Sequence, residues 1–162
     1  MRIVNFGDVM NQLFKKQGKR IDRDHMRRQD VRLQAKVQQE AARKISRMKN
    51  KTTLIVDTHM FVKTRDGIWP GTPRRVLETI DPDLIVIIEA DPEEIADRRS
   101  SDSSRKRDRK SAGDVKSETE WSRYMASANS VLSGAPIQIV NNREGRQRKA
   151  AETLLQIIER LV

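Results

Sequence analysis

The sequence predicts an α/β protein, a largely parallel β-sheet flanked by helices, and three observations carry that expectation. Short runs such as Thr53-Leu-Ile-Val56 and Leu84-Ile-Val-Ile-Ile88 are continuously apolar and rich in β-branched residues, the pattern of strands covered on both faces. Each is followed at once by a carboxylate, Asp57 or Glu89. Between the runs lie segments whose apolar residues recur every three or four positions, so strands alternate with helices as crossover connections require.

Taken in order, Arg2-Ile-Val-Asn5 reads as a strand, and Phe6-Gly7-Asp8 turns the chain into a helix with Phe6, Val9, Met10, Leu13 and Phe14 at helical spacing. Gly18 closes it. Ile21 to Arg28 is dense in charge of both signs and reads as a solvated connector. From Val31 to Lys49 a long amphipathic helix is expected, with Leu33, Val37, Ala41, Ile45 and Met48 on its apolar face. It delivers the strand that ends before Asp57. Arg74 to Thr79 makes a short helix, which Asp81-Pro-Asp83 breaks. After the Leu84 strand, Asp91-Pro-Glu-Glu94 has a capping aspartate, proline at the first helical position and acids in the first turn, so a helix runs through Arg99.

Ser100 to Ser111 is serine-rich and basic and reads as an exposed loop. From Glu118 a helix places Trp121, Tyr124, Met125, Ala128, Val131 and Leu132 on one side, read as core, and Gly134 stops it. Pro136 to Val140 is the last strand, with proline at its start where a missing donor is tolerated. A final helix from Arg146 to Val162 is expected to bury Ala151, Leu154, Leu155, Ile158 and Leu161.

A chain of 162 residues suits one domain with a real core, and residues 1–162 are read as a single domain. Hydrophobic residues make up 36% and charged ones 35%, and no stretch approaches the length of apolar sequence that a membrane helix needs. Met1 to Phe6 shows no secretory signal pattern, so a cytoplasmic location is expected. With no cysteines and two distant histidines, His25 and His59, the sequence holds neither a disulfide framework nor a zinc motif. The net charge of +10 indicates an anionic partner, nucleotide phosphate or nucleic acid, or else bulk solvation.

Asp57 is the first candidate for chemistry. In open α/β sheets ligands bind beyond the carboxyl ends of the strands, and an aspartate there commonly holds magnesium in phosphate-binding enzymes. The alternative is that it only terminates the strand.

The residues resemble one family over the whole chain. Val4-Asn-Phe-Gly7, Asp22-Arg-Asp-x-Met-Arg27, Val56-Asp-Thr-His59 with Lys63-Thr64, Pro70-Gly-x-Pro73, Arg98-Arg99, Asp102 with Arg105-x-Arg-Asp108, and Ser133-Gly-Ala135 follow the order and approximate spacing of the archaeal-type adenylate kinases. The resemblance implies a P-loop kinase-like fold that transfers a phosphoryl group from ATP to AMP with Mg2+, in a cytoplasmic homotrimer. Nucleic acid is not the partner it implies.

It also implies roles. Arg99, Arg105 and Arg107 are similar to the family's lid arginines, on a basic lid loop near residues 98–112, because guanidinium forks match phosphate oxygens. Phe6, Gly7, Arg27, Pro70 and Gly71 resemble the wall of the AMP site, with a structural ion pair to Asp22 or Asp24 as the alternative for Arg27. Gly134 and Ala135 resemble the loop against the ATP adenine, and Asp57 would help hold magnesium through water. Arg98, Lys106 and Arg109 are assigned to solubility.

One departure stands out: the family's first strand, phosphate loop and first helix would lie upstream of Met1, and no Gly-x-x-x-x-Gly-Lys-[Ser/Thr] occurs among these residues. About 30 to 35 residues, roughly one βαβ unit, are expected to precede. The competing expectation is an inactive kinase remnant that binds nucleotide or RNA through its basic surface.

Overall fold

A computed structural model describes residues 1–16, 31–49, 52–64, 67–101 and 111–161. The chain divides into two units, Met1–Asp83 with Val131–Ala135, and Leu84–Ser130 with Pro136–Val162.

In the first unit, β1 (Arg2–Asn5) runs parallel to β2 (Leu54–Asp57), pairing Arg2 with Leu54 and Asn5 with Asp57. The crossover passes through α1 (Phe6–Lys16) and α2 (Val31–Lys49). Phe6, Val9 and Phe14 of α1 are buried, with Met10 and Leu13 half-buried, as their spacing predicts. Ala41, Ala42 and Ile45 of α2 complete a core shared with Val4 and Val76, while Val37 packs with Phe14 in a second cluster. Each Val or Ile side chain in such a core contributes roughly 1.5–3 kcal/mol by leaving water.

Beyond β2, the strands β3 (Phe61–Thr64) and β4 (Gly67–Pro70) form an antiparallel hairpin that the sequence reading lacks. The signal was present: Asp66-Gly67 between β-branched and aromatic runs is a strong short hairpin cue. Next, α3 (Arg74–Ile80) ends at Asp81, whose left-handed backbone (φ 48°) lets its N–H bond the Leu77 carbonyl. Three residues of α2 fix this stretch along its length. Gln38 Nε2 donates to the Gly71 carbonyl, Gln39 Nε2 to Thr79 Oγ1 at 2.8 Å, and Lys49 Nζ to the Asp81 carbonyl while pairing with Asp83 at 3.1 Å.

In the second unit, β5 (Ile85–Glu89) pairs in parallel with β6 (Ile137–Asn141), Ile87 opposite Ile139 and Glu89 opposite Asn141. The helices are α4 (Pro92–Ser101), α5 (Ala112–Ser133) and α6 (Gln147–Glu159). Both units thus carry the parallel pairing and flanking helices of the α/β class.

Two expectations about faces need correction. α5 begins six residues before Glu118, because Ser111 and Asp114 form a reciprocal cap: Ser111 N–H and Oγ–H donate to Asp114 Oδ2 at 3.0 and 2.8 Å, and Asp114 N–H lies 3.2 Å from Ser111 Oγ. Most of its predicted core side is exposed instead, with Tyr124 62% and Val131 85% accessible and only Met125 half-buried, while Val115, Ala126 and Asn129 are buried. On α6, Ala151 and Leu155 face solvent, as does Leu161 beyond its end, and the inward face is Ala150, Thr153, Leu154, Ile157 and Ile158.

Candidate active site

The carboxyl ends of β1 and β2 meet in a polar pair. Register sets Asn5 beside Asp57, and Asn5 Nδ2 donates to Asp57 Oδ2 at 2.6 Å. Asn5 Oδ1 accepts from Asp8 N–H at 3.0 Å, so the same side chain caps the first turn of α1. One amide therefore fixes both an exposed carboxylate and the start of a helix. Gly7 sits in that turn, where a Cβ would come within 3.3 Å of Asn5 Oδ1. Phe6 points into the core and anchors the turn from behind.

The Pro70-Gly71 turn is defined by closeness of backbone. Gly71 N–H donates to the Met60 carbonyl at 2.9 Å, and a Cβ on Gly71 would lie 1.8 Å from the His59 carbonyl oxygen. Gly134 has φ +75°, a conformation that glycine adopts readily, and Ala135 beside it is buried with its N–H 3.3 Å from Ser133 Oγ. Phe6, Gly7, Asp57, Pro70, Gly71, Gly134 and Ala135 all fall in the first unit. Asn5 joins Asp57 to the Phe6-Gly7 turn directly.

Arg99 falls in the second unit, where its Nη1 donates to Glu118 Oε2 at 3.2 Å. Arg98, assigned to solubility from composition, is a structural tie. It pairs with Glu144 through Nε, with Glu94 at 3.2 Å, and donates to the Asn142 carbonyl at 3.1 Å. Glu94 also accepts from Glu144 N–H, so α4 holds the loop between β6 and α6. Arg27, Arg105 and Arg107 lie outside the described residues.

Sequence reasoning passed over Arg123. At the carboxyl end of β5, buried Glu89 receives both Nε (2.7 Å) and Nη2 (2.6 Å) of Arg123 in a fork-to-fork pair. The hydrogen bonds and charge of Glu89 raise the Arg123 guanidinium further above its ordinary pKa, so it is cationic at any working pH. The readable signal was Glu89 itself, an acid closing an apolar strand.

Among the described residues there is no cluster of three or more His, Cys, Asp or Glu side chains that could cage a metal ion. Asp57 nevertheless suits magnesium, which keeps most of its water and takes one or two carboxylates plus substrate phosphates. The Asn5 amide donates to one carboxylate oxygen and orients the other.

A family model described as an AAA domain matches residues 1–116. Adenylate kinase of Thermoplasma acidophilum is 42% identical over 158 residues, covering 98% of this chain and 85% of that protein. The chain belongs to the adenylate kinase family. The adenylate kinases of Thermoplasma volcanium and Methanocaldococcus jannaschii are 39% and 37% identical, over 97% and 98% of this chain and 85% and 82% of theirs. The family resemblance seen in the motifs, the α/β fold and its parallel pairing therefore agree. Among the described residues no helix is long and apolar enough to cross a membrane.

Proposed function

We propose that this protein is an adenylate kinase, converting ATP and AMP reversibly into two ADP, with residues 1–162 belonging to a single nucleotide kinase-like domain. The observation that carries the reading is the Asn5–Asp57 pair at the carboxyl ends of two parallel strands, beside the capped start of α1, in a chain similar to adenylate kinases along nearly its whole length. Phosphoryl transfer asks the protein for alignment and fixed positive charge rather than covalent chemistry.

In this reading Phe6, Gly7, Arg27, Pro70 and Gly71 form the wall of the AMP site, with the Gly71 backbone brought close by its lack of a side chain. Gly134 and Ala135 border the ATP adenine. Arg99, Arg105 and Arg107 supply lid cations. Asp57, steadied by Asn5, would hold the water shell of an Mg2+ ion bound with ATP, which would supply charge neutralisation at the phosphates. The protein works in the cytoplasm as a homotrimer.

The test is ADP formation by the native protein from ATP and AMP with Mg2+, contaminating kinase excluded. No ADP above the blank would sink the reading. Asp57→Asn keeps the size and removes the charge, so Mg2+-dependent turnover is expected to fall by about a hundredfold. AMP affinity measured by calorimetry should stay nearly unchanged, because the lost charge acts on the metal. Equal losses in both quantities would return Asp57 to the role of a strand terminator.

A further inference from the structure

The second unit holds an open cavity of about 350 Å3, bordered by β6 and the first turns of α6. That volume lies at the lower end of the range for small-molecule sites, about 300–1,000 Å3. The apolar residues Ile139, Val140 and Ala150 share its lining with three cations, Arg143, Arg146 and Lys149. None of the six is among the residues assigned to substrates.

These cations lack a counter-charge. Arg98, Arg99, Arg123 and Arg148 of the same unit each meet a carboxylate at 3.2 Å or less. Among the described residues, no hydrogen bond or ion pair engages the side chain of Arg143, Arg146 or Lys149. The acids nearest in sequence are committed elsewhere, Glu144 to Arg98 and Glu152 to Arg148. The start of α6 adds to the crowding: Arg146 is its N-cap and gives no side-chain cap, and the first turn contains no acid. A helix N-terminus carries partial positive charge and favours anions, so cations gathered there repel both it and one another. An anion seated among them removes that repulsion.

We propose that this cavity binds a chain of two or three phosphoryl groups, as carried by a nucleoside di- or triphosphate or by inorganic pyrophosphate and tripolyphosphate. A single phosphate monoester has about 1.5 to 2 negative charges near neutral pH, too few to balance three cations, whereas a longer chain matches them. Arg143 and Arg146 offer planar forks to phosphate oxygens, and Lys149 offers a compact point charge. The first N–H groups of α6, without a side-chain cap, are donors of the kind that hold phosphate. The apolar part of the lining suits the sugar or base of a nucleotide.

Calorimetric titration of the native protein with inorganic tripolyphosphate tests this, after saturation with diadenosine pentaphosphate, an analogue that spans the donor and acceptor sites. One equivalent is expected to bind. Inorganic phosphate should bind about tenfold more weakly or worse, and the double variant Arg146→Gln with Lys149→Gln should weaken tripolyphosphate by about tenfold or more. Both side chains are exposed, so the variant should fold. Arg148→Gln removes a cation of the same turn that already pairs with Glu152, and should change the affinity by less than about threefold. On the saturated protein, ADP binding tighter than pyrophosphate would identify a nucleotide as the ligand, and equal affinities would identify the phosphate chain alone. No tripolyphosphate bound by the saturated wild type overturns the inference, as does an equal loss in Arg148→Gln and the double variant. A protein that fails to bind the analogue loses the substrate reading alone, since the contrast between variants still reports on the cavity.

Discussion

Alanine at Arg105 or Arg107 is expected to lower kcat of the native protein by several hundredfold or more, the scale of losing an electrostatic stabiliser of the transition state. Both sit in a segment that is seven parts basic to two parts acidic between Arg98 and Lys110, too polar to build a core, so removing one side chain should leave the melting temperature within a few degrees. That separation makes them better probes than Arg99, whose guanidinium already bonds Glu118 and whose loss would break that ion pair between α4 and α5 as well. The comparison with Arg109→Ala sharpens the test. A cation serving solubility alone should change turnover by less than about twofold, since exposed charges are well screened. Unchanged kcat in both Arg105→Ala and Arg107→Ala would remove the lid from the mechanism.

Much of this architecture was legible because one rule dominated each element. Continuous β-branched runs gave the strands ending at Asp57 and Glu89, and the three- and four-residue spacing of α1 and α2 placed Phe6, Val9, Phe14, Val37, Ala41 and Ile45 inside. Where two rules competed, the reading slipped. On α5 the large aromatics suggested a buried side, but the buried residues Ala126 and Asn129 lie on another face and Tyr124 stays in solvent. Hydrophobicity says that a residue can be buried, and packing decides whether it is. The hairpin was hidden by short strands, only four residues each, whose polar members Lys63 and Thr64 break the apolar run.

Candidate site residues were legible as motif positions, and the contacts that orient them were not. Asn5 is an unremarkable strand end in the sequence; only the parallel register puts it on Asp57. Gln38 reads as the polar face of an amphipathic helix, yet the chain returning from β4 covers it. Glu89 and Arg123 are 34 positions apart, and no local pattern links them. Such pairs are products of topology, which periodicity cannot see.

Gly71→Ala is expected to destabilise the protein by roughly 3 kcal/mol or more and to abolish AMP binding, a larger loss than any other single methyl should cause. The reason is space, since the backbone torsion at Gly71 is not of the left-handed kind. A Cβ there would stand 1.8 Å from the His59 carbonyl oxygen, 2.8 Å from its carbon and 3.2 Å from the Met60 carbonyl carbon. All three are main-chain atoms and cannot swing aside as a side chain would. Relief requires moving the turn away from His59-Met60, which stretches the bond from Gly71 N–H to the Met60 carbonyl and carries the Gly71 carbonyl away from Gln38. Gly67→Ala is the control: its φ of +115° is strained for alanine, but nothing lies within 4 Å of the new methyl, so the cost should be only about 1 kcal/mol. Urea unfolding midpoints of the two variants, read with AMP titrations, check the contrast. A Gly71→Ala protein as stable as Gly67→Ala, with AMP affinity intact, would mean that the turn can open without cost and that its close approach does not shape the acceptor site.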